Sequence, residues 1–541
     1  MILFIMIKSH IKYTLILVFL LIIFTSNSNN YSFTVIPDSL HFENKKSSLP
    51  NEWYSNAVFY EIFVRSFYDS NNDGIGDLRG VIEKLDYLKE LGVKGIWLMP
   101  INMNSDGDHG YAIMDYMKIA PEYGTIEDFK ELIAKAHNKG IGIVMDMVIN
   151  HCSSDNPFFI SALNSSGSPY RDWFTWSSEK LYWRQPWSAN PVWHEGKDKK
   201  YYYGLFSRSM PDLNFKNEQV YRYIQQVLTF WLNIGVDGFR FDAATHIFEN
   251  ENGILADLPE TIDLFKGIRK LVNSYDGKYL IGEAGKSEYI GDGTDSLHGY
   301  FNFGFIGNLT KAIFNENAQF FTEKLQEEYN KMPDGGYVSN VLGNHDSFLG
   351  PRVATRFKQN PQLLKIAATA LLTTPGIPFI YYGEEIGMTS NNRYTFDYSL
   401  RTPMQWNDAL HGGFSTMGKI SPRQSNKEYK KINVTEQQQD KTSLLSHYKQ
   451  LINLRNNNKA LCQGSINFEN INKKLVTFKR TFKNNECFVI INISNSPVSL
   501  PLEIINDYSL VFSDSKYKIK NKSIILDRYS SLIYSREKTN E

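Results

Sequence analysis

From about residue 53 the chain alternates short apolar, β-branched or aromatic runs with longer amphipathic stretches, and eight such runs can be counted. They are VFYEIFV from Val58, VKGIWLMPI from Val93, IGIVMDMVIN from Ile141, VDGFRFDAA from Val236, YLIGEA from Tyr279, YFNFGF from Tyr300, YVSNVLGNHD from Tyr337 and IPFIYYGEE from Ile377. Near-continuous apolar runs are what parallel strands buried on both faces require. The intervening segments, such as LRGVIEKLDYLKEL from Leu78 and TIEDFKELIAKAHNKG from Thr125, place apolar residues at i, i+3, i+4 and end in Gly, as helices do. A parallel pair needs a long crossover, and eight strand–helix units in series close most simply into a (β/α)8 barrel. The expected class is therefore α/β, a TIM barrel over 53–151 and 217–460.

One interval breaks the rhythm. About 60 residues from Cys152 to Lys216, rich in Trp, Tyr, Ser and Pro, are too long for an ordinary βα loop. They read as a small domain inserted after the third strand, at the barrel face where such folds hold their sites. From about Gly464 the texture changes to short alternating stretches, KLVTFKRTF, ECFVIINI and SSLIYS, with Asn and Ser turns. That pattern predicts a C-terminal antiparallel β-sandwich over 464–541. At the other end, Lys8 and Lys12 precede the apolar run Tyr13 to Phe24, followed by TSNSNNYS. This is the order of a signal peptide over 1–30, which predicts a secreted or periplasmic protein; an uncleaved anchor is the alternative.

Lys plus Arg and Asp plus Glu are 58 each, so no global field favours nucleic acid or another polyanion. The three cysteines, Cys152, Cys462 and Cys487, have no metal-like spacing and allow at most one disulfide, with Cys462 and Cys487 the pair within the C-terminal region.

The charges at strand ends carry the chemistry. GFRFDAATH, from Gly238, sets Arg240 and Asp242 on one face of an otherwise apolar strand. The third strand ends in Asp146 and then Asn150 and His151, the fifth in Glu283, the seventh in Asn344, His345 and Asp346. A barrel brings all of these to one face. Four carboxylates, two histidines and an arginine gathered there are hard to explain as packing, because buried charge is costly unless paired.

DMVINH from Asp146, GFRFDAATH, IGEA around Glu283 and LGNHD from Leu342 resemble the four characteristic regions of the α-amylase family of glycoside hydrolases. HGYAIMDY from His109, MPDLN from Met210 and GIPFIYYGEEIG from Gly376 match further landmarks of that family. The resemblance covers roughly 53–541. It implies Asp242 as nucleophile, Glu283 as general acid and base, and Asp346 as the carboxylate that holds sugar hydroxyls in the transition state. A cationic Arg240 is expected to favour the ionised Asp242, while Glu283 keeps its proton until the glycosidic oxygen leaves. By the same resemblance His151 and His345 hydrogen-bond the sugar and Tyr111 stacks under its ring, with His109 nearby.

Ca2+ is the expected cofactor. DSNNDGIGD offers Asp69, Asn71, Asp73, Ile75 and Asp77 in an order like the start of an EF-hand loop, although its twelfth position is Gly80. A second site by resemblance would use Asn150, Asp212 and the backbone of His246. Family and catalytic set do not fix the substrate. Ala243 stands where relatives that cut α-1,6 bonds often carry valine, and MPDLN resembles the branch between oligo-1,6-glucosidases and neopullulanases. Together these predict a monomeric, retaining, endo-acting hydrolase of α-1,4 bonds in starch and maltodextrins. The alternatives are an exo-acting α-glucosidase or oligo-1,6-glucosidase, a 4-α-glucanotransferase and, remotely, a non-catalytic membrane-anchored partner subunit.

Overall fold

A computed structural model describes residues 47–420 and 423–537; the expected signal peptide or anchor lies outside the described residues. All eight expected strands form. They are β1 (Phe59–Ile62), β2 (Gly95–Leu98), β3 (Gly142–Met147), β4 (Gly238–Phe241), β5 (Tyr279–Gly282), β6 (Gly299–Asn302), β7 (Tyr337–Asn340) and β8 (Phe379–Tyr381). Each pairs in parallel with its neighbours in chain order, and β1 also pairs with β8. A parallel bridge between Val341, just past β7, and Phe379 closes the ring.

The strands are shorter than the apolar runs that announce them. The remainder of each run continues past the strand end as loop, and that is where Asp242 and Glu283 sit. The barrel floor is aromatic: Trp53, Tyr54, Phe59, Trp97, Tyr279, Phe301 and Phe379 share one buried cluster. These rings dictate the glycines that open two strands. A Cβ on Gly95 would lie 2.5 Å from the Phe59 ring, and one on Gly142 would lie 2.3 Å from the Trp53 ring.

The helix Ile126–Asn138 forms as its pattern predicts, started by a reciprocal capping box between Thr125 and Asp128. The stretch from Leu78 does not form one helix. It divides into Leu78–Glu83 and Leu85–Leu91 at Lys84, whose ammonium lies 3.6 Å from the centre of the Tyr68 ring and 4.7 Å from that of Trp406. A cation held over two aromatic faces is a tertiary contact that helical periodicity cannot register.

After β3 the chain forms the helix Pro157–Asn164 and a small antiparallel sheet in which Tyr201–Tyr203 is flanked by Trp176–Ser177 and Trp193–Glu195. It returns to the exit of β3 through two backbone bonds, Cys152 N to Pro211 O at 3.1 Å and Leu213 N to Asn150 O at 2.9 Å. The C-terminal region is two antiparallel sheets, one of five strands and one of three. They share one core, with Phe488, Ile490 and Leu532 from the first sheet meeting Leu500, Ile524 and Leu526 from the second. All three cysteines are free thiols, so Cys462 and Cys487 are not bridged and apolar burial holds this region together. Among the described residues no helix is long and apolar enough to cross a membrane.

Candidate active site

Strand register assembles the first half of the site. Asp146 on β3 pairs directly with Arg240 on β4, so both side chains point into the barrel. Arg240 is fully buried. Its Nη1 lies 2.6 Å from Asp242 Oδ1 and 3.0 Å from Asp146 Oδ1, and its Nη2 lies 2.9 Å from Glu283 Oε2. The Trp97 ring backs the guanidinium at 4.9 Å.

One cation therefore serves three carboxylates, which explains why so apolar a strand carries charge. As expected, Arg240 pulls Asp242 toward its ionised form, but burial outweighs that pull. Burial pushes the Asp242 carboxyl up to about 6, and the shared guanidinium only limits the rise. Glu283 is raised further, to about 7, by burial and by Asp242 and Asp346, again against the pull of Arg240. The order of the two values is what a nucleophile and a proton donor need at neutral pH.

Ala243, the residue after Asp242, has φ 47° and ψ 34°, the left-handed region. This turn aims its N–H at Glu283 Oε2, 2.9 Å away. A β-branched side chain is disfavoured in that conformation, so the backbone itself favours a small residue here.

The second half is an ionic chain centred on His345. Its Nδ1 lies 2.6 Å from Glu61 Oε1, and its Nε2 lies 2.6 Å from the Tyr111 hydroxyl and 3.2 Å from Asp346 Oδ2. Burial alone would lower this imidazole, but Asp346 and Glu61 together lift it to about 10. It is therefore a cation at neutral pH and donates from both nitrogens. Burial would raise Asp346, yet His345 and then Arg401, at 2.9 Å, hold its carboxyl well below the usual range. The Tyr111 hydroxyl also donates to Asp146 Oδ2 at 3.1 Å, so the two halves are one network.

His109 lies beside Tyr111, with ring centres 5.4 Å apart, and its Nδ1 accepts the Tyr111 backbone N–H. His151 is neutral: burial pushes it down to about 3. Its buried Nε2 has no partner among the described residues, which leaves it available to a ligand hydroxyl. All eight expected catalytic and sugar-binding residues thus come together. Sequence reading missed Glu61 and Arg401. Glu61 did carry a signal, as the only charge inside the apolar run VFYEIFV. Arg401 lies in an irregular segment after β8 and carried none.

Of the five tryptophans between 173 and 193, Trp183 and Trp193 pack in the core of the 152–216 segment, while Trp173 and Trp176 pack on Phe158 and Phe159. Only Trp187 is half exposed; its ring leans on Phe206 and His246, and Phe206 in turn packs on His151.

The loop expected to hold a cation is folded by its own carboxylates. Asp69 accepts from the backbone N–H of Asn72, Asp73 and Gly74, Asp73 from Ile75, and Asp77 from Ser70 and Gly80. Among the described residues no three His, Cys, Asp or Glu side chains already converge as a metal centre. The donor set is nonetheless all oxygen, counting the Asn71 amide and the Ile75 carbonyl, and such a set suits a hard cation. At the second position Asn150 Nδ2 donates to Asp212 Oδ2 at 2.8 Å. Asn150 Oδ1 is buried without a partner, and burial holds the Asp212 carboxyl well above its ordinary range. A buried acid and an orphaned amide oxygen side by side fit a cation too. His246, expected there through its backbone, donates from its ring Nδ1 to Leu255 O at 2.8 Å.

Residues 61–464 match the family model described as alpha amylase, catalytic domain. The chain is 36% identical over 534 residues to Alpha-amylase 3 of Dictyoglomus thermophilum, covering 97% of this chain and 99% of that protein. It is 30% identical to an oligo-1,6-glucosidase of Bacillus cereus, covering 90% and 100%. Among solved structures, the α-amylase from H. orenii superposes with a TM-score of 0.79 at 32% identity, covering 89% and 99%. The trehalose-6-phosphate hydrolase of Bacillus licheniformis gives 0.80 at 28% identity, covering 90% and 100%.

Proposed function

The chain belongs to the α-amylase family of glycoside hydrolases, and from that premise we propose that it is an α-amylase that cleaves internal α-1,4 bonds of starch and maltodextrins with retention. The observation that carries the mechanism is the single guanidinium that touches both Asp242 and Glu283. Its bonds to both bring the two carboxyl groups close together, as a retaining displacement requires of a pair that flanks the bond at about 5–5.5 Å separation.

In this reading Asp242 attacks the anomeric carbon as Glu283 donates its proton to the departing glycosidic oxygen. A water then attacks the same carbon as it gives one of its own protons to Glu283, which breaks the ester bond to Asp242 and restores both carboxyl groups. Arg240 stays charged throughout and keeps the cost of three buried acids bearable. Asp346, held ionised by His345 and Arg401, accepts from sugar hydroxyls. His151 and His345 face the same sugar.

The choice of bond rests on Ala243 and on the relative named an α-amylase along nearly its whole length. One observation favours an exo-acting reading instead. Arg401 and Arg423, both buried, converge on Asp108, and Arg401 also bonds Asp346. An ionic wall beside the sugar-binding carboxylate would close that side of the pocket to longer chains. The product profile decides: soluble starch should give mixed maltooligosaccharides, with isomaltose and panose barely cut. Release of glucose alone from chain ends would establish the exo-acting reading.

Activity should trace a narrow bell against pH. Deprotonation of Asp242 near 6 sets the rising limb, and loss of the Glu283 proton near 7 sets the falling limb. The check is kcat/KM on a maltooligosaccharide from pH 4 to 9. A flat profile across that range would remove the assigned pair.

We also assign Ca2+ to the Asp69–Asp77 loop and to Asn150 with Asp212. The ion's contribution there is structural, a cross-link that exists only in the folded chain. A chelator should lower the melting temperature, and Asp73→Ala should bind less Ca2+ by metal analysis. An unchanged melting temperature together with unchanged metal content would make the loop a plain turn.

A further inference from the structure

A cavity of about 470 Å³ lies at the end of the barrel opposite the carboxylates. The start of β7 at Tyr337 and the residues leading into β8, Pro375 and Gly376, form one wall. Gln463, Ser465 and Arg480 of the C-terminal region form the other. The only acid in its lining is Glu52, exposed at the rim.

Behind this cavity sit two arginines with no acidic partner among the described residues. Arg480 and Arg455 are each less than 2% exposed. Arg480 reaches Thr373 O at 2.6 Å and Gly464 O at 2.8 Å. Arg455 reaches Leu372 O at 2.9 Å and Gly376 O at 2.6 Å, while its buried Nε has no partner. The ionisable groups that act most on Arg480 are Arg455, which repels it, and then Tyr329, Cys462 and Cys487.

Part of this charge has a structural explanation. The helix Pro361–Thr373 ends at these carbonyls, and a helix C-terminus presents roughly half a negative charge. Two guanidinium groups bring two positive charges. The helix end therefore leaves more than one positive charge buried beside a cavity, which is a costly state unless something anionic shares the space. Arg480 also keeps spare capacity, since its three contacts use three of the five N–H donors of a guanidinium.

We propose that this cavity is a binding site for a small oxyanion, a phosphate or a carboxylate, anchored by Arg480. The site is independent of the catalytic reading, because it lies at the far end of the barrel and shares no residue with the carboxylate network. Its occupant ties the barrel to the C-terminal sheets and stabilises the fold without entering the reaction.

The test is thermal unfolding of the full chain titrated separately with inorganic phosphate and with acetate, at constant ionic strength. Expected is a saturable rise in melting temperature of about 1–3 °C with at least one of them. Asp242→Asn should show the same rise, which places binding away from the catalytic pocket. Arg480→Gln should abolish it. Should that variant fail to fold, Ile466→Trp decides, because it fills the cavity from its lining and keeps both arginines. It should unfold normally, keep wild-type activity and lose the response. No rise with either anion in the wild type, or an undiminished rise in Ile466→Trp, overturns the proposal.

Discussion

Replacing Asp242 with Asn, or Glu283 with Gln, should lower kcat on maltooligosaccharides by at least about a thousandfold, the scale on which a positioned nucleophile or general acid contributes. Neither change should unfold the barrel. Each removes one of the three acids around Arg240 and leaves the other two in place, and the amide that replaces the carboxylate occupies the same space. The two variants should also differ from each other. Glu283→Gln removes the proton donor, so it should hurt poor leaving groups most and recover part of its loss on an activated aryl glycoside. Asp242→Asn removes the atom that forms the new bond, so no leaving group should rescue it. Steady-state kinetics on both substrate types, with circular dichroism as the folding control, reads the difference. A folded variant that keeps near-normal turnover would show the assignment to be wrong. The wild type should release its first product as the α-anomer by NMR, and a β-anomer would exclude the displacement through Asp242.

Much of this site is legible in the sequence alone. The eight apolar runs predicted the strands because a residue buried on both faces of a sheet has little freedom to be polar. Against that background a charged residue such as Arg240 or Asp146 stands out, and its strand position says which end of the barrel it serves. What the sequence does not carry is how charge is shared. Nothing local says that Arg240 contacts Asp146, Asp242 and Glu283 at once, so the balance by which burial outweighs the cation at Asp242 emerges only from the assembled network. Arg401 was invisible for a related reason. It comes from an irregular segment with no periodicity to violate, and it matters only because the chain folds back to within 2.9 Å of Asp346. The division of the helix at Lys84 follows the same rule, since its ammonium is held by two aromatic faces that the fold brings to it, one of them more than 300 residues away in sequence.

Arg240→Met should be the most damaging single substitution to stability in the molecule. It leaves Asp146, Asp242 and Glu283 buried around an apolar side chain. Breaking a buried pair by removing one partner typically costs about 3–5 kcal/mol, because the surviving charge stays uncompensated, and here three survive. Arg240→Lys should not restore the wild type. An ammonium is a compact point charge and cannot reach Asp242 from one nitrogen and Glu283 from another. The loss should depend on pH in a definite direction. Burial already raises the carboxyls of Asp146, Asp242 and Glu283 above their ordinary values with the cation present, and removing it raises them further. A carboxyl whose folded value is raised takes up protons on folding, so its stabilising contribution is complete below the unfolded value near 4 and is lost as pH rises through the folded one. The variant should therefore approach the wild-type melting temperature near pH 5 and fall away from it towards pH 8. Adding Asp242→Asn to Arg240→Met should recover part of the lost stability, a coupling that two independent sites would not show. Thermal unfolding of the two single variants and the double variant at pH 5 and pH 8 measures this directly. Equal melting temperatures for wild type and Arg240→Met at pH 8 would mean that the three acids are held by something other than this one guanidinium.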